Sequence, residues 1–266
     1  MAETIRSPQN PAVKLAVALK QKKRRDELGL FMVEGVRLCE ELLASGWDLE
    51  LGLYTESAAA QPRAAATIAA AARRCRMLPV SDAVLAKAAE TENPQGVLLI
   101  ARQAAGGLSR LLETAGGLIV IIDGVQDPGN MGTLLRTADA AGADGVIVLA
   151  GAADPFCGKA LRASMGSVFH LPLVTSVGTD ECIAGLRQRR IRLAATALEG
   201  AVCYLEADLT GPLAVAFGNE GNGVSQALLA QAELKICIPI YGQAESLNVA
   251  AAAAVILYEA VRRRQA

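Results

Sequence analysis

The second half of the chain alternates continuous apolar runs with segments of helical periodicity. Six of these runs are too continuously apolar for one face to be exposed to solvent, and they are predicted as strands buried on both faces. They are Leu118 to Ile122, Val146 to Leu149, Val168 to Val174, Arg192 to Ala195, Leu213 to Phe217 and Lys235 to Ile240. Helical segments separate most of these runs, a pattern typical of a parallel sheet with helices on both faces. We therefore predict an α/β fold in which ligands bind beyond the carboxyl ends of the strands.

The first half predicts a smaller α/β unit. Its expected elements are a helix from Pro11 to Arg25, a strand from Leu30 to Val33, a helix after the Glu34-Gly35 turn, an alanine-rich helix within residues 58–74 and a strand from Val97 to Ala101. The predicted domains are residues 1–102, a linker and lead-in at 103–116, of which Gln103 to Gly107 is the expected linker, and a larger domain at 117–266.

Charge and composition limit the possible functions. The 266-residue chain has a formal net charge of -1, so contact with nucleic acid would need a local basic patch. The run KQKKRR, Lys20 to Arg25, is one candidate, with Lys14 slightly earlier in the same predicted helix. It fits a solvated helix end as well as a phosphate-binding site.

Several common chemistries find no support in the sequence. The six cysteines form no CxxC pair, the N-terminus has no apolar signal core, and no apolar run is long enough to span a bilayer, so we expect reduced thiols and a cytoplasmic protein without a metal. The single histidine, His170, lies in the predicted strand VFHLPLV and is expected to be a core imidazole. Group transfer between two bound substrates, which depends on positioning, fits best.

Three loops at predicted strand ends carry the candidate chemistry. The first, DGVQDPGNMGTLLRTADAAG, contains Asn130 as a predicted helix cap and Arg136, which is either a surface partner of Asp139 or a ligand-binding cation. The second, FGNEGNGVS, contains Glu220 and reverses the glycine spacing of the dinucleotide fingerprint, so a nicotinamide enzyme is a weak alternative. In the third, Ser246 and Asn248 precede a long alanine-rich helix, where they can cap that helix or face a ligand.

These loops, in this order, resemble the three motifs of the SpoU/TrmH family of RNA ribose 2'-O-methyltransferases, within the SPOUT superfamily. The first domain, with FMVEGVR and NPQGVLL, is similar to the RNA-binding domain of ribosomal-RNA members. The resemblance implies a homodimer and a C-terminal trefoil knot that forms a pocket for S-adenosylmethionine. By motif matching, the cofactor would lie against Thr196, Ala197, Gly218, Asn219, Ile238, Pro239, Ile240 and Leu247.

The resemblance also implies a reaction, the transfer of a methyl group to a ribose 2'-hydroxyl of RNA. Arg136 would hold an RNA phosphate and the 2'-oxygen, with proton loss assisted by that phosphate or by an unusually perturbed arginine, and Asn130 would orient Arg136. Glu220, Ser246 and Asn248 match the remaining motif residues. Many relatives have serine where this chain has Ala250.

The substrate expected from the resemblance is large-subunit ribosomal RNA of the 23S type, because of the added N-terminal domain. Two alternatives stay open. One is a transfer-RNA 2'-O-methyltransferase. The other is a non-catalytic RNA-binding or assembly factor that binds RNA through KQKKRR with a steep salt dependence.

Overall fold

The computed structural model describes residues 3–104, 106–114 and 116–265. The chain divides into two compact units. The first unit contains the described part of residues 1–105 together with Phe156–Phe169, and the second contains the described part of 106–155 and 170–266. The sequence had placed 156–169 in the larger domain, so the first unit is built from two separate stretches of chain.

The helices and strands follow in chain order. The first part comprises α1 (Pro11–Ala18), α2 (Lys22–Leu28), β1 (Leu30–Glu34), α3 (Val36–Ala44), β2 (Leu49–Tyr54), α4 (Glu56–Ala59), α5 (Pro62–Ala72), β3 (Arg76–Pro79), α6 (Asp82–Ala88) and β4 (Val97–Arg102). The remainder comprises α7 (Leu108–Thr114), β5 (Leu118–Ile122), α8 (Pro128–Ala140), β6 (Gly145–Leu149), α9 (Gly158–Ser164), a 3-10 turn (Ser167–Phe169), β7 (Leu173–Val177), α10 (Thr179–Gln188), β8 (Arg192–Thr196), β9 (Val202–Cys203), β10 (Leu213–Phe217), α11 (Gln226–Leu229), β11 (Leu234–Cys237) and α12 (Val249–Gln265).

The first unit is built on a four-stranded sheet of order β1-β4-β2-β3. Strand β4 pairs antiparallel with both β1 and β2, and β2 pairs parallel with β3. The single helix predicted from Pro11 to Arg25 is wrong, because α1 ends at Ala18 and α2 begins at Lys22. The buried Arg25 guanidinium occupies the break, where it donates to the carbonyls of Leu19 and Lys20.

An aromatic cluster fills part of this unit. The Phe31 ring lies 4.8 Å from Phe156 and 5.6 Å from Trp47, measured between ring centroids, and Phe169 lies 5.9 Å from Trp47. The Trp47 indole N–H donates to the Phe169 carbonyl at 3.1 Å. Edge and offset contacts of this kind stabilise the packing beyond the apolar area that they bury. The cluster therefore holds the Phe156–Phe169 segment within the first unit.

The second unit contains a seven-stranded sheet of order β7-β6-β5-β10-β8-β11-β9, in which every recorded strand pair is parallel. The predicted parallel α/β fold is confirmed. One face packs against α7, α10 and α11, and its buried residues include Ile119, Ile147 and Leu186. Helices α8 and α12 pack against each other.

Three expectations for the second unit were wrong or incomplete. The predicted strand Val168 to Val174 is a 3-10 turn followed by β7, which begins only after Pro172, a residue without an N–H. His170 is therefore half-exposed rather than a core imidazole, and its Nδ1 lies 3.0 Å from the Asp139 carboxylate. The last predicted strand ends at Cys237, three residues earlier than expected.

The segment predicted as a linker, 103–116, contains helix α7, whose Leu111 and Leu112 are buried in the second unit. Ala105 and Ala115 of that segment lie outside the described residues. Among the described residues, no helix is both long enough and apolar enough to cross a membrane.

Candidate functional site

The carboxyl ends of β5, β10, β8 and β11 lie side by side, because these strands are parallel neighbours in the sheet. Three loops follow three of these ends. They are residues 123–127 after β5, residues 218–225 after β10 and residues 238–248 after β11. The motif loops predicted from the sequence therefore meet at one edge of the second unit.

Helix α8 begins just after the first loop. The Asp127 side chain caps this helix, accepting from the Asn130 backbone N–H at 2.9 Å, and Pro128 occupies the first turn, where its missing N–H costs nothing. The predicted capping role of Asn130 is thus wrong. Because Asp127 does the capping, the Asn130 amide is available for other contacts.

The Asn130 amide joins the three loops. Its Nδ2 donates to Glu220 Oε1 at 2.9 Å, and its Oδ1 accepts from Asn248 Nδ2 at 3.0 Å. The Glu220 carboxylate also accepts from the backbone N–H groups of Gln126 at 3.1 Å and Asp127 at 3.2 Å. A continuous chain of hydrogen bonds therefore runs from the loop after β10, through the start of α8, to the start of α12.

This environment sets the charge of Glu220. Partial burial raises the pKa of its carboxyl, but the hydrogen bonds from the Asn130 amide and from backbone N–H groups outweigh burial and bring the pKa below its ordinary value. A carboxylate that is stabilised in this way is a weak base. Glu220 is therefore suited to holding the loops in place while it stays ionised.

Asn248 caps α12, one of the two roles predicted for it, and also contacts Asn130. Its Oδ1 accepts from the backbone N–H of Ala250 at 2.9 Å, which caps α12, while its Nδ2 reaches Asn130. Ser246 is exposed, and its hydroxyl makes no hydrogen bond with any described residue. Asn248 is therefore held by two hydrogen bonds, whereas the Ser246 side chain is unbonded within the described chain.

The loop after β10 is fixed by backbone contacts. A Cβ on Gly218 would overlap the backbone of Gly223 and Val224, so only glycine fits there. Asn219 pairs with Gly223 through two backbone hydrogen bonds of 2.9 Å, and its Nδ2 donates to the Gly124 carbonyl at 2.8 Å. The loops after β5 and β10 are therefore tied directly to each other.

Asp123 belongs to the same site and was missed by the sequence reasoning. It is buried at the end of β5, and its carboxylate accepts from the Ser225 N–H at 2.7 Å. The Ser225 hydroxyl is buried without a hydrogen-bond partner among the described residues. An acid that directly follows a fully buried strand was the available signal, because a buried carboxylate needs a hydrogen-bond donor.

Arg136 lies apart from this hydrogen-bond chain. Its side chain is exposed on α8 and makes no hydrogen bond or ion pair within the described part of the protein. The alternative in which it pairs with Asp139 is wrong, because that carboxylate contacts His170. Asn130 does not orient Arg136 here, since the Asn130 amide is engaged by Glu220 and Asn248.

The predicted cofactor residues lie at neighbouring strand ends. Thr196 ends β8, Gly218 and Asn219 follow β10, and Ile238 to Leu247 follow β11. The Ala197 N–H is already bonded to the Ile236 carbonyl at 3.0 Å. Between Ile238 and Leu247, however, no backbone group makes a hydrogen bond to another described residue, so ten carbonyls and nine N–H groups, all but that of Pro239, have no partner in the described chain.

The described residues form no evident metal site, and two of the cysteines are buried thiols. Among the described residues, no three side chains of His, Cys, Asp or Glu are grouped to hold a metal ion. Burial raises the pKa of the Cys182 thiol to about 12, which keeps it protonated and unreactive. Burial likewise raises the pKa of Cys39 far above its ordinary value.

Comparison with known proteins identifies the family. Residues 117–258 match the family model described as SpoU rRNA Methylase family, and residues 10–99 match the MRM3-like substrate binding domain. The chain belongs to the SpoU rRNA methylase family. The resemblance inferred from the three motif loops is thereby confirmed.

Individual proteins similar to this SpoU chain are named as rRNA methyltransferases. The 23S rRNA (guanosine(2553)-2'-O)-methyltransferase RlmP of Bacillus subtilis (strain 168) is 37% identical, over 96% of this chain and 97% of its own. The 23S rRNA (uridine(2479)-2'-O)-methyltransferase of Streptomyces viridochromogenes is 33% identical, over 92% of this chain and 87% of its own. The crystal structure of an AdoMet-bound rRNA methyltransferase from Sinorhizobium meliloti has a TM-score of 0.88 and 36% identity, covering 98% of both chains.

Proposed function

We propose that this protein transfers a methyl group from S-adenosylmethionine to a ribose 2'-hydroxyl of large-subunit ribosomal RNA. One structural observation carries the proposal, the hydrogen-bond chain Glu220–Asn130–Asn248 that unites the three SpoU motif loops at the carboxyl edge of the sheet. Relatives named as 23S rRNA 2'-O-methyltransferases, similar over nearly the whole chain, support the reaction and the RNA class.

The strand-end loops fit the cofactor. The unbonded N–H groups and carbonyls between Ile238 and Leu247 offer donors and acceptors for an adenine and a ribose, and Gly218 lets the loop after β10 fold closely at the neighbouring strand end. We assign Thr196, Ala197, Gly218, Asn219, Ile238, Pro239, Ile240 and Leu247 to this role. When bound, S-adenosylmethionine supplies an electrophilic methyl group on a positively charged sulfur.

The chain's own residues would then position the ribose. Arg136 is a permanently charged donor without a partner in the described chain, so it is free to bind the phosphate and the 2'-oxygen of the target nucleotide. Asn130, Glu220 and Asn248 would keep the surrounding loops in one arrangement, which matters because small displacements of reacting groups are costly. We assign Ser246, whose hydroxyl is exposed, to a substrate contact.

Glu220 is not assigned as the proton acceptor. Its lowered pKa and its three hydrogen-bond donors make it a poor base near neutral pH. Arg136 would instead stabilise the 2'-oxygen as it attacks the methyl group, and the proton of the hydroxyl would pass to solvent, assisted by the RNA phosphate that Arg136 holds.

Three further properties belong to the proposal. A trefoil knot in the C-terminal region is supported by the interleaved strand order, in which β10 lies between β5 and β8 while β11 lies between β8 and β9. A homodimer is proposed from family membership, and light scattering of the purified protein would test it. A cytoplasmic location is proposed because ribosomal RNA is the substrate.

The decisive experiment is a methyl-transfer assay with labelled S-adenosylmethionine and unmodified 23S rRNA transcript, with the product mapped by mass spectrometry. We expect the label on a ribose 2'-oxygen. Label on a base would overturn the reaction, because only the ribose offers the 2'-hydroxyl that distinguishes RNA.

The same assay tests Arg136. We expect Arg136→Ala to lower the transfer rate by about a hundredfold or more, because a charge-stabilising donor is lost. Thermal stability should stay unchanged, because the Arg136 side chain makes no contact with a hydrogen-bonding partner in the described chain. Arg190→Ala is the matched control, since Arg190 is another exposed arginine of the second unit whose side chain lacks such a partner among the described residues. Full activity of Arg136→Ala would refute the assigned role.

A further inference from the structure

The basic run KQKKRR is largely committed to contacts within the protein. The Lys20 ammonium donates to the carbonyls of Lys87 at 2.8 Å and Ala89 at 2.6 Å. Arg25 is buried, only 3% exposed, and its guanidinium bonds to two carbonyls at the break between α1 and α2. These two cations stabilise the fold of the first unit.

The remaining cations of the run face acids on the same helix. Lys22 lies 2.7 Å from Asp26, and Arg24 lies 2.7 Å from Glu27, which Lys23 also approaches at 3.9 Å. An RNA phosphate would have to compete with these carboxylates. The most conspicuous basic sequence of the chain is therefore not its most available basic surface.

Helices α1 and α6 offer a more available one. They share a core that contains Val13 and Ala16 of α1 and Leu85 of α6. On their outer sides, Lys14 of α1 and Lys87 of α6 are exposed, and neither ammonium makes a hydrogen bond or ion pair with a described residue. The Lys20 ammonium donates to the backbone carbonyls of Lys87 and Ala89, so the chain just after α1 lies beside the C-terminal end of α6.

The segment that leads into α1 adds another cation. Ile5 is held beside the start of α6, because its N–H donates to the Pro79 carbonyl at 2.9 Å and its carbonyl accepts from the Ser81 N–H at 3.0 Å. Arg6 follows directly and is exposed. We define the α1/α6 face as Arg6, Lys14 and Lys87.

The two segments that carry this face contain more cations than acids. Residues 5–20 contain three cations and no acid, whereas residues 82–89 contain Lys87 and a single acid, Asp82. That carboxylate already accepts from the Ser57 hydroxyl at 2.7 Å. Since the whole chain carries a net charge of -1, this concentration of positive charge is a local feature.

We propose that the α1/α6 face binds the phosphodiester backbone of the RNA substrate. The proposal rests on the proposed function and deepens it by naming which residues of the substrate-binding unit hold the RNA backbone. Unpaired lysines bind phosphates by releasing condensed counterions, without first breaking an ion pair. Such contacts position RNA without reading its sequence, which leaves the choice of nucleotide to other contacts.

The test compares two double variants with the same change in charge, Lys14→Gln/Lys87→Gln on the face and Lys22→Gln/Lys23→Gln in the basic run. Binding to unmodified 23S rRNA transcript is measured by filter retention between about 50 and 200 mM salt. We expect the face variant to raise the Kd about tenfold and to reduce the slope of log Kd against log salt by about 2, or one per lysine. The basic-run variant should change the Kd less than about twofold.

Several outcomes distinguish RNA binding by the α1/α6 face from RNA binding by the basic run. Equal or greater weakening by the basic-run variant, or unchanged binding by the face variant, would overturn the assignment. A raised KM for RNA with unchanged kcat at saturating RNA supports a holding role. If the face variant binds RNA more weakly than wild type, as expected, but the wild-type protein transfers no methyl group, the RNA-binding face is supported and the proposed function fails. Unchanged thermal midpoints of both variants confirm that they fold.

Discussion

Three polar side chains from distant parts of the sequence join the motif loops by hydrogen bonds. Asn130 and Glu220 are 90 positions apart, and Asn130 and Asn248 are 118 positions apart, yet each pair is within hydrogen-bond distance. Glu220 also accepts from two backbone N–H groups, and Asn248 also caps α12. Capping and site geometry can therefore be separated by choosing substitutions that keep one and remove the other.

Asn248 allows that separation. Asn248→Ala removes the α12 cap and should lower the free energy of unfolding by about 1 kcal/mol. Asn248→Ser keeps a capping hydroxyl but is too short to bond Asn130, so we expect it to regain most of the stability. Methyl transfer should stay at least about tenfold below wild type in both variants, because the motif loops are no longer joined. Chemical denaturation and the transfer assay check this, and wild-type activity in Asn248→Ser would contradict it.

Gly218 and Gly221 form a matched pair in the loop after β10. In Gly218→Ala the new methyl group would collide with the backbone of Gly223 and Val224, which we expect to cost about 1–3 kcal/mol and to weaken cofactor binding. In Gly221→Ala the nearest atom outside the neighbouring residues is Asn219 Oδ1 at 3.6 Å, an ordinary contact, so little should change. Thermal unfolding and calorimetric titration with S-adenosylmethionine compare the two. Equal effects would show that the close approach at Gly218 is unimportant.

At the scale of elements, helix α12 is fastened at both ends. Asn248 joins its start to Asn130, and near its end the Arg264 guanidinium donates to the carbonyls of Gly117 at 3.1 Å and Gly211 at 2.6 Å, which precede β5 and β10. Its 17 residues span about 25 Å. The helix therefore connects the carboxyl edge of the sheet to the opposite edge.

Glu259 makes the C-terminal part of α12 sensitive to pH. Hydrogen bonds from Arg262 and then Arg263 lower the pKa of this carboxyl from 4.5 to about 2. A lowered folded-state pKa contributes stability above the unfolded pKa, and that stability is lost as the pH falls from about 4.5 toward 2. Glu259→Gln should thus be less stable than wild type at neutral pH and equally stable near pH 2.

Denaturant titrations across this pH range measure the difference. Glu199→Gln is the control, because Glu199 is exposed and its side chain makes no hydrogen bond within the described chain. A stability difference for Glu259→Gln that does not change with pH would contradict the ion-pair explanation.

Elements were predictable where local signals decide them. The fully buried strands β5, β6 and β10 appear in the sequence as continuous apolar runs and form where expected. The break between α1 and α2 was not predictable, because no glycine or proline marks it and the Arg25 guanidinium satisfies the exposed carbonyls. The motif residues were identifiable, but the partner of each Asn130 atom depends on contacts between distant loops.

At the scale of the whole molecule, the first unit depends on a segment that the sequence reasoning assigned elsewhere. Phe156 and Phe169 pack with Phe31 and Trp47, although β5 and β6 of the second unit intervene in the sequence. Nothing in the sequence indicated this packing, because periodicity reports contacts within one element and these rings come from distant parts of the chain.

We expect Phe156→Ala to lower the free energy of unfolding by about 3–5 kcal/mol, because it opens a cavity beside Phe31. Trp47, the single tryptophan of the chain, lies 6.0 Å from Phe156 between ring centroids, so its fluorescence reports this unfolding directly. Phe156→Leu should lose markedly less stability, because it fills most of the volume. Equal losses in the two variants would show that cavity volume is not the cause.

The divided first unit has a consequence for synthesis on the ribosome. Trp47 is made 122 residues before Phe169, whose carbonyl accepts its indole N–H. At about 5–20 residues per second, that interval lasts about 6–24 s. During it the Trp47 ring cannot yet have its final neighbours, so the nascent chain carries an uncovered aromatic surface that chaperones could bind.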